Sequence, residues 1–194
     1  MNKQLQQIID YHGASYPALW LETHEPHRIV DILSGIKAEQ VVLRGDKGSP
    51  LIEWGVLKGI RGIPNTQDPI SLMAHLAKAP KYTVCLAWQF HAFLRSPDMI
   101  QAVLDALIGM KANQVCLVAL VPPGSQLPIE LDRVFTKVEF DLPNREEIEA
   151  CLDKLVKTGV RAEGGEPTQL TVENRDSVLD AATGMTLWEI EDAF

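Results

Sequence analysis

Two stretches constrain this chain more than any others: YTVCLAW at residues 82–88 and NQVCLVALV at 113–121. Each is apolar at nearly every position, not at every second one. A strand with one wet face alternates apolar and polar residues, so a continuous apolar run of this length predicts a strand covered on both faces. That is the environment of a central strand in a parallel sheet with helices above and below. Residues 97–111 lie between the two runs and place Met99, Val103, Leu104, Leu107 and Ile108 at helical spacing, with Pro97 near the start. Strand, helix and strand in this order make a parallel crossover unit.

The flanking segments extend the pattern. Residues 2–12 predict an amphipathic helix through Leu5, Ile8, Ile9 and His12, ended by Gly13. Leu19–Leu21 predict a short strand. A second helix follows, with Pro26 in its first turn and Ile29, Val30, Ile32, Leu33 and Ile36 on its buried face. Residues 40–44 and 51–54 read as strands around a Gly/Ser/Pro turn, and 55–69 as a loop punctuated by glycine and proline. Asp68 can cap a helix through Ile70, Leu72, Met73 and Leu76. VFTKVEFDLP gives a last strand with alternating Phe135, Val138 and Phe140. After Pro143 the character changes: NREEIEACLDKLVKTG is a charged amphipathic helix capped by Asn144 and ended by Gly159, and shorter helices are expected at 171–182 and 186–194. The expected organisation is an α/β part at 1–143 and a small helical part at 144–194.

Bulk properties exclude several classes. The 194 residues carry a formal net charge of -8 and no basic run, which argues against broad phosphate-backbone binding to nucleic acid. Cys85, Cys116 and Cys151 form no C-x-x-C pair, and the first two sit in apolar runs, as reduced core thiols of a cytoplasmic protein do. No apolar stretch approaches the ~20 residues of a membrane span, and MNKQLQQIIDYHG lacks the apolar core of a signal peptide.

Chemistry-bearing residues concentrate where the first strand meets its helix, at Glu22, Thr23, His24, Glu25, Pro26, His27 and Arg28. His24 and His27 are spaced H-x-x-H, one residue short of the H-E-x-x-H that stacks two imidazoles on one helical face, so no metal is expected. There is no G-x-S-x-G elbow, and no cysteine lies in a basic or glycine-rich context. GDKGSP at 45–50 reads as a hairpin turn. Trp88, Gln89, Phe90, His91 and Phe93 follow the strand at 82–87. They close a core more readily than they bind a base, and His91 has no evident carboxylate partner.

The order of elements resembles the AAA ATPase module: a three-layer α/β core of the P-loop NTPase kind, with a mostly parallel sheet of about five strands and a partial helical lid. The resemblance becomes specific at YPALWLETHE, IEWGVLKGI, DPISLMAHL, QFHAFLRSPDMIQAVLDAL, LPIELDRVFTKVEFDLPNREEIEACL and TGMTLWEIEDAF, which together touch most of the chain. It is similar to the N-terminal, non-catalytic AAA-like domain of the AAA proteins from a conserved hypothetical reading frame of chloroplast and cyanobacterial genomes. In that family this domain precedes the ATPase domain proper.

On that resemblance, THEPHRIVDIL occupies the place of the phosphate loop. A working loop needs G-x-x-x-x-G-K-[ST], and Thr23, His24, Glu25, Pro26, His27 and Arg28 supply none of it. The strand that should end in a metal-binding Asp ends instead in Trp88 and Gln89. The expectation is a degenerate AAA domain that is not an enzyme, needs no cofactor, and acts in assembly or regulation. Its partners would be an AAA ATPase domain or homo-oligomeric neighbours, and the chain would be the N-terminal part of a larger ATPase. Arg133 falls where AAA modules carry a trans-acting arginine, with a surface ion pair as the plainer reading. Two alternatives remain open: a regulator that binds ATP or ADP without hydrolysis, and an unrelated enzyme using a pocket of Glu22, His24, His27 and His91.

Overall fold

The computed structural model describes residues 3–39, 51–158 and 172–193. The expected strand at 40–44 and the turn at 45–50 lie outside them. The chain divides into two units, Met1–Phe140 and Asp141–Phe194, three residues before the junction expected from sequence.

The first unit is an α/β layer structure. Helix α1 (Lys3–Gly13) leads into β1 (Ala18–Glu22), α2 (Pro26–Glu39), β2 (Leu51–Gly55), β3 (Gly59–Ile60), α3 (Pro69–Leu76), β4 (Val84–Trp88), α4 (Pro97–Ala112), β5 (Cys116–Val121) and β6 (Thr136–Glu139). Among the described residues the sheet has six strands, in the order β3-β2-β4-β5-β1-β6, where about five were expected. The extra strand is the two-residue β3, which turns back antiparallel on β2 with Trp54 opposite Ile60. Its glycine-punctuated sequence hides it, because two residues carry no readable period. All other pairings are parallel.

Side chains alternate across each strand and so build two cores. Leu19 and Leu21 of β1 join Cys116, Val118 and Leu120 of β5 on the face covered by Ile8 of α1 and Ile29 and Leu33 of α2. Ala18 and Trp20 join Leu117 and Ala119 on the opposite face, under Leu72, Met73 and Leu76 of α3 and Met99, Val103, Ala106 and Met110 of α4. The two-sided burial expected of β4 and β5 is therefore present. Phe135 is buried on the α3/α4 face, but Val138 and Phe140 lie on the other, as their sequence parity requires. Helices α3 and α4 meet closely at Gly109, where a Cβ would sit 2.2 Å from the carbonyl oxygen of Ala77.

The caps show how short loops feed the strands. Asp68 accepts from the Ser71 amide at 2.7 Å, and Ser96 caps α4 through the Met99 amide at 3.2 Å. Helix α1 does not stop at Gly13 alone. Ser15 takes the left-handed position (φ 65°), its amide donating to the His12 carbonyl and that of Tyr16 to the Tyr11 carbonyl. Helix α4 closes the same way, with Gln114 left-handed (φ 52°), its amide on Lys111 and that of Val115 on Met110. Both are Schellman closures made without glycine. The two left-handed residues also bond each other, Gln114 Nε2 donating to Ser15 Oγ.

The second unit is helical: α5 (Arg145–Thr158), α6 (Val172–Ala181) and α7 (Leu187–Ala193). Ile148, Cys151, Leu152, Leu179, Ala182 and Ile190 form its core. Asn144 and Glu147 exchange reciprocal bonds of 2.9 Å, a capping box at the start of α5. Arg145 bridges Asp176 and Asp180, and Arg175 bridges Glu149 and Asp153, tying α6 to α5 by charge. No helix among the described residues is long and apolar enough to cross a membrane.

Candidate functional site

The carboxyl end of β1 lies between β5 and β6. In an open parallel sheet, this is where a strand hands over to a helix and where ligands are usually met. Thr23 continues the strand, its buried amide donating to the Val121 carbonyl at 2.9 Å. Its Oγ1 turns back to accept from the Glu25 amide at 2.9 Å, and Pro26 then opens α2. The bend thus uses a hydroxyl and a proline where a phosphate-cradling loop would use glycines.

Glu25 and Arg28 fill the bend. Glu25 Oε2 and Arg28 Nη1 are 2.8 Å apart, with the side chains 8% and 6% exposed. The Arg28 guanidinium carbon also sits 4.9 Å from the centre of the Phe140 ring, and the Phe140 amide donates to the Glu22 carbonyl at 2.9 Å. A planar cation between a carboxylate and an aromatic face is well compensated for its lost water. Glu22 is engaged elsewhere, accepting from Trp20 Nε1 at 3.3 Å and the Gly124 amide at 3.1 Å.

His27 leaves this cluster and packs against Trp88 at the end of β4, ring centres 4.7 Å apart and planes tilted by 57°. Trp88 Nε1 donates to Glu53 Oε1 of β2 at 2.6 Å. Gln89 follows in a left-handed conformation (φ 50°), its amide on the Leu120 carbonyl. The aromatic stretch then winds into a 3-10 turn, Phe90–Phe93, with Phe90 fully buried. His91 Nδ1 is buried with no hydrogen-bond partner among the described residues. Burial and then the charge of Arg95 push its pKa below the ordinary histidine value.

Of the residues singled out in the sequence, the fold brings together Thr23, Glu25 and Arg28, and separately His27 and Trp88. His24 is exposed. No group of three or more His, Cys, Asp or Glu side chains among the described residues is placed to hold a metal ion. Burial pushes the Cys116 thiol up to about 12 and also raises that of Cys85, which disfavours the thiolate a nucleophile needs. Phe140 and Glu53 were missed. Nothing in the sequence near residue 28 signals a ring 112 positions later (140 minus 28).

Arg133 lies elsewhere. It is exposed, just before β6, and lines a recess of about 200 Å³ with Tyr16, Lys111 and Thr136. Pro17 just ahead of β1 and Thr136 at the start of β6 place this recess at the amino ends of the strands.

The three layers, the crossover order and the lone antiparallel edge strand define an AAA-type α/β domain. Among solved structures, the AAA domain of FIGL-1 in complex with ADP superposes with a TM-score of 0.61 at 10% identity. The match covers 91% of this chain and 58% of that one, so the chain spans little more than half the length of that neighbour. The family model for the N-terminal domain of SpoVK-like AAA ATPases matches residues 1–140, and the chain belongs to that family. No curated protein sequence matches it.

Proposed function

We propose that this domain is a catalytically silent AAA module that serves assembly or regulation within a larger ATPase, of the kind encoded by the chloroplast and cyanobacterial reading frame. The observation that carries this reading is the buried Glu25–Arg28 pair on Phe140 in the phosphate-loop position. A nucleotide's phosphates bind to free backbone N–H groups and a lysine. Here the Glu25 amide is taken by Thr23, Pro26 has no N–H, and the one buried cation already has its carboxylate. A phosphate entering this bend would have to displace Glu25 and strand its charge. The FIGL-1 neighbour was solved with ADP, but the residues here do not fit that ligand.

Trp88 and Gln89 at the end of β4 add to the argument, since neither supplies the negative charge that would hold Mg²⁺ beside a γ-phosphate. Without hydrolysis, the module's use is its surface: it packs on the AAA ATPase domain of the same protein or on a second copy, in the cytoplasm. Isothermal calorimetry of the purified chain with ATP–Mg²⁺ and with ADP tests this. The expected result is no binding heat at millimolar nucleotide. Micromolar binding would overturn the silent reading and make the domain a nucleotide-sensing regulator.

A further inference from the structure

We infer that the recess at the amino ends of the strands, between Lys111 and Arg133, is a binding site for a small phosphate group. The inference is independent of how the carboxyl end of β1 is read.

Charge comes first. Lys111 and Arg133 line one recess, and neither forms an ion pair among the described residues. The nearest acidic side chain in sequence, Asp132, is turned to Lys137 at 3.9 Å. This is notable in a chain with 26 acidic residues against 18 basic ones. Two cations facing one concavity without a carboxylate leave a positive field that an anion relieves.

The backbone at this end of α4 is partly screened. A helix C-terminus ordinarily presents bare carbonyl oxygens, which repel negative charge. In α4 three of the last four are covered: Gly109 accepts from Asn113 at 3.0 Å, Met110 from Val115 at 2.8 Å and Lys111 from Gln114 at 3.2 Å. The same closure fixes the rim. Tyr16 follows the left-handed Ser15, Lys111 lies three residues before the left-handed Gln114, and Ser15 and Gln114 are hydrogen-bonded to each other. The two chain segments that carry Tyr16 and Lys111 are therefore pinned together before any ligand arrives, which lowers the ordering cost of binding.

Size and donor chemistry select the ligand. A recess of about 200 Å³ is smaller than the ~300–1,000 Å³ of sites for drug-sized molecules, so it does not suit a whole nucleotide. It suits a phosphate with few further atoms. A guanidinium fork and an ammonium offer more N–H donors than one carboxylate can accept, whereas a phosphate offers three strong acceptor oxygens.

The test is an amide-resolved NMR titration of the full chain, with chloride used to hold ionic strength constant. The probes are inorganic phosphate, phenyl phosphate and, as a carboxylate control, benzoate. Saturable shifts are expected for the amides of Tyr16, Gln114, Val134 and Thr136 with the phosphates. The double variant Lys111→Gln/Arg133→Gln, whose spectrum also reports that it is folded, should bind about 10-fold more weakly. Tighter binding of phenyl phosphate would assign an organic monoester as the ligand; equal binding would assign inorganic phosphate. Drift without saturation, unchanged affinity in the double variant, or benzoate binding as tightly as phenyl phosphate would overturn the inference.

Discussion

The two ends of the sheet treat an arginine in opposite ways. At the carboxyl end, Arg28 is buried against Phe140 with Glu25 2.8 Å away. At the amino end, Arg133 is exposed beside Lys111 and has no carboxylate among the described residues. The same side chain closes one site and opens another. A cation that is desolvated must carry its counter-charge with it, so Arg28 cannot serve an incoming anion without breaking an internal bond. Arg133 keeps its water and its field, and its only cost on binding is the order imposed on an exposed chain. On the proposed reading, the end of an α/β sheet that normally holds the ligand is the closed one in this domain.

The contrast can be broken most forcefully at Glu25. Glu25→Ala leaves Arg28 buried without its carboxylate and should cost about 3–5 kcal/mol in urea denaturation. The double change Glu25→Leu/Arg28→Met should recover most of that, since an apolar pair needs no partner. A loss under about 1 kcal/mol for Glu25→Ala would mean the pair behaves as a solvated surface bridge, and the closed-end picture would fail. Thr23→Val removes the acceptor of the Glu25 amide and should cost about 1 kcal/mol, read from the same denaturation curves. At the open end, Lys111→Gln/Arg133→Gln should change stability by no more than about 0.5 kcal/mol, because both side chains are exposed and neither is ion-paired among the described residues.

The smallest effect concerns pH. The folded-state pKa of His91 lies below its ordinary value of 6.5, through burial and then Arg95. Between the folded and unfolded values the unfolded chain holds more protons, so stability should be full above pH 6.5 and decline as pH falls through that window. NMR titration of the His91 ring would show it, and a midpoint above 6.5 would reverse the sign.

How legible these features were follows from how local their causes are. The caps at Asp68 and Asn144 could be read because each rests on a bond to an amide three residues away. Helix α1 ends at Gly13 as read, but the left-handed residue that closes it is a different one. Gly13 is the residue that favours a left-handed turn, yet Ser15 adopts it, because the chain must reach the Schellman geometry where β1 begins. That THEPHR carries no glycine was visible in the sequence. What fills the bend was not, because Phe140 arrives through β6, on the far side of the crossover. Lys111 gave no signal beyond being a basic residue near a helix end.

By itself, then, the sequence determined which segments are central strands and that the crossover helices must cover both sides, because a strand without a wet face needs an apolar residue at every position of β4 and β5. Only the tertiary structure decided the strand order, and with it which charges meet. Placing β1 between β5 and β6 brings Phe140 over Arg28 and sets Tyr16 beside Arg133. Hydrophobic burial is non-directional and can be read from composition along a strand; an ion pair or a shared recess depends on angstrom-scale geometry between distant segments, which no local pattern encodes.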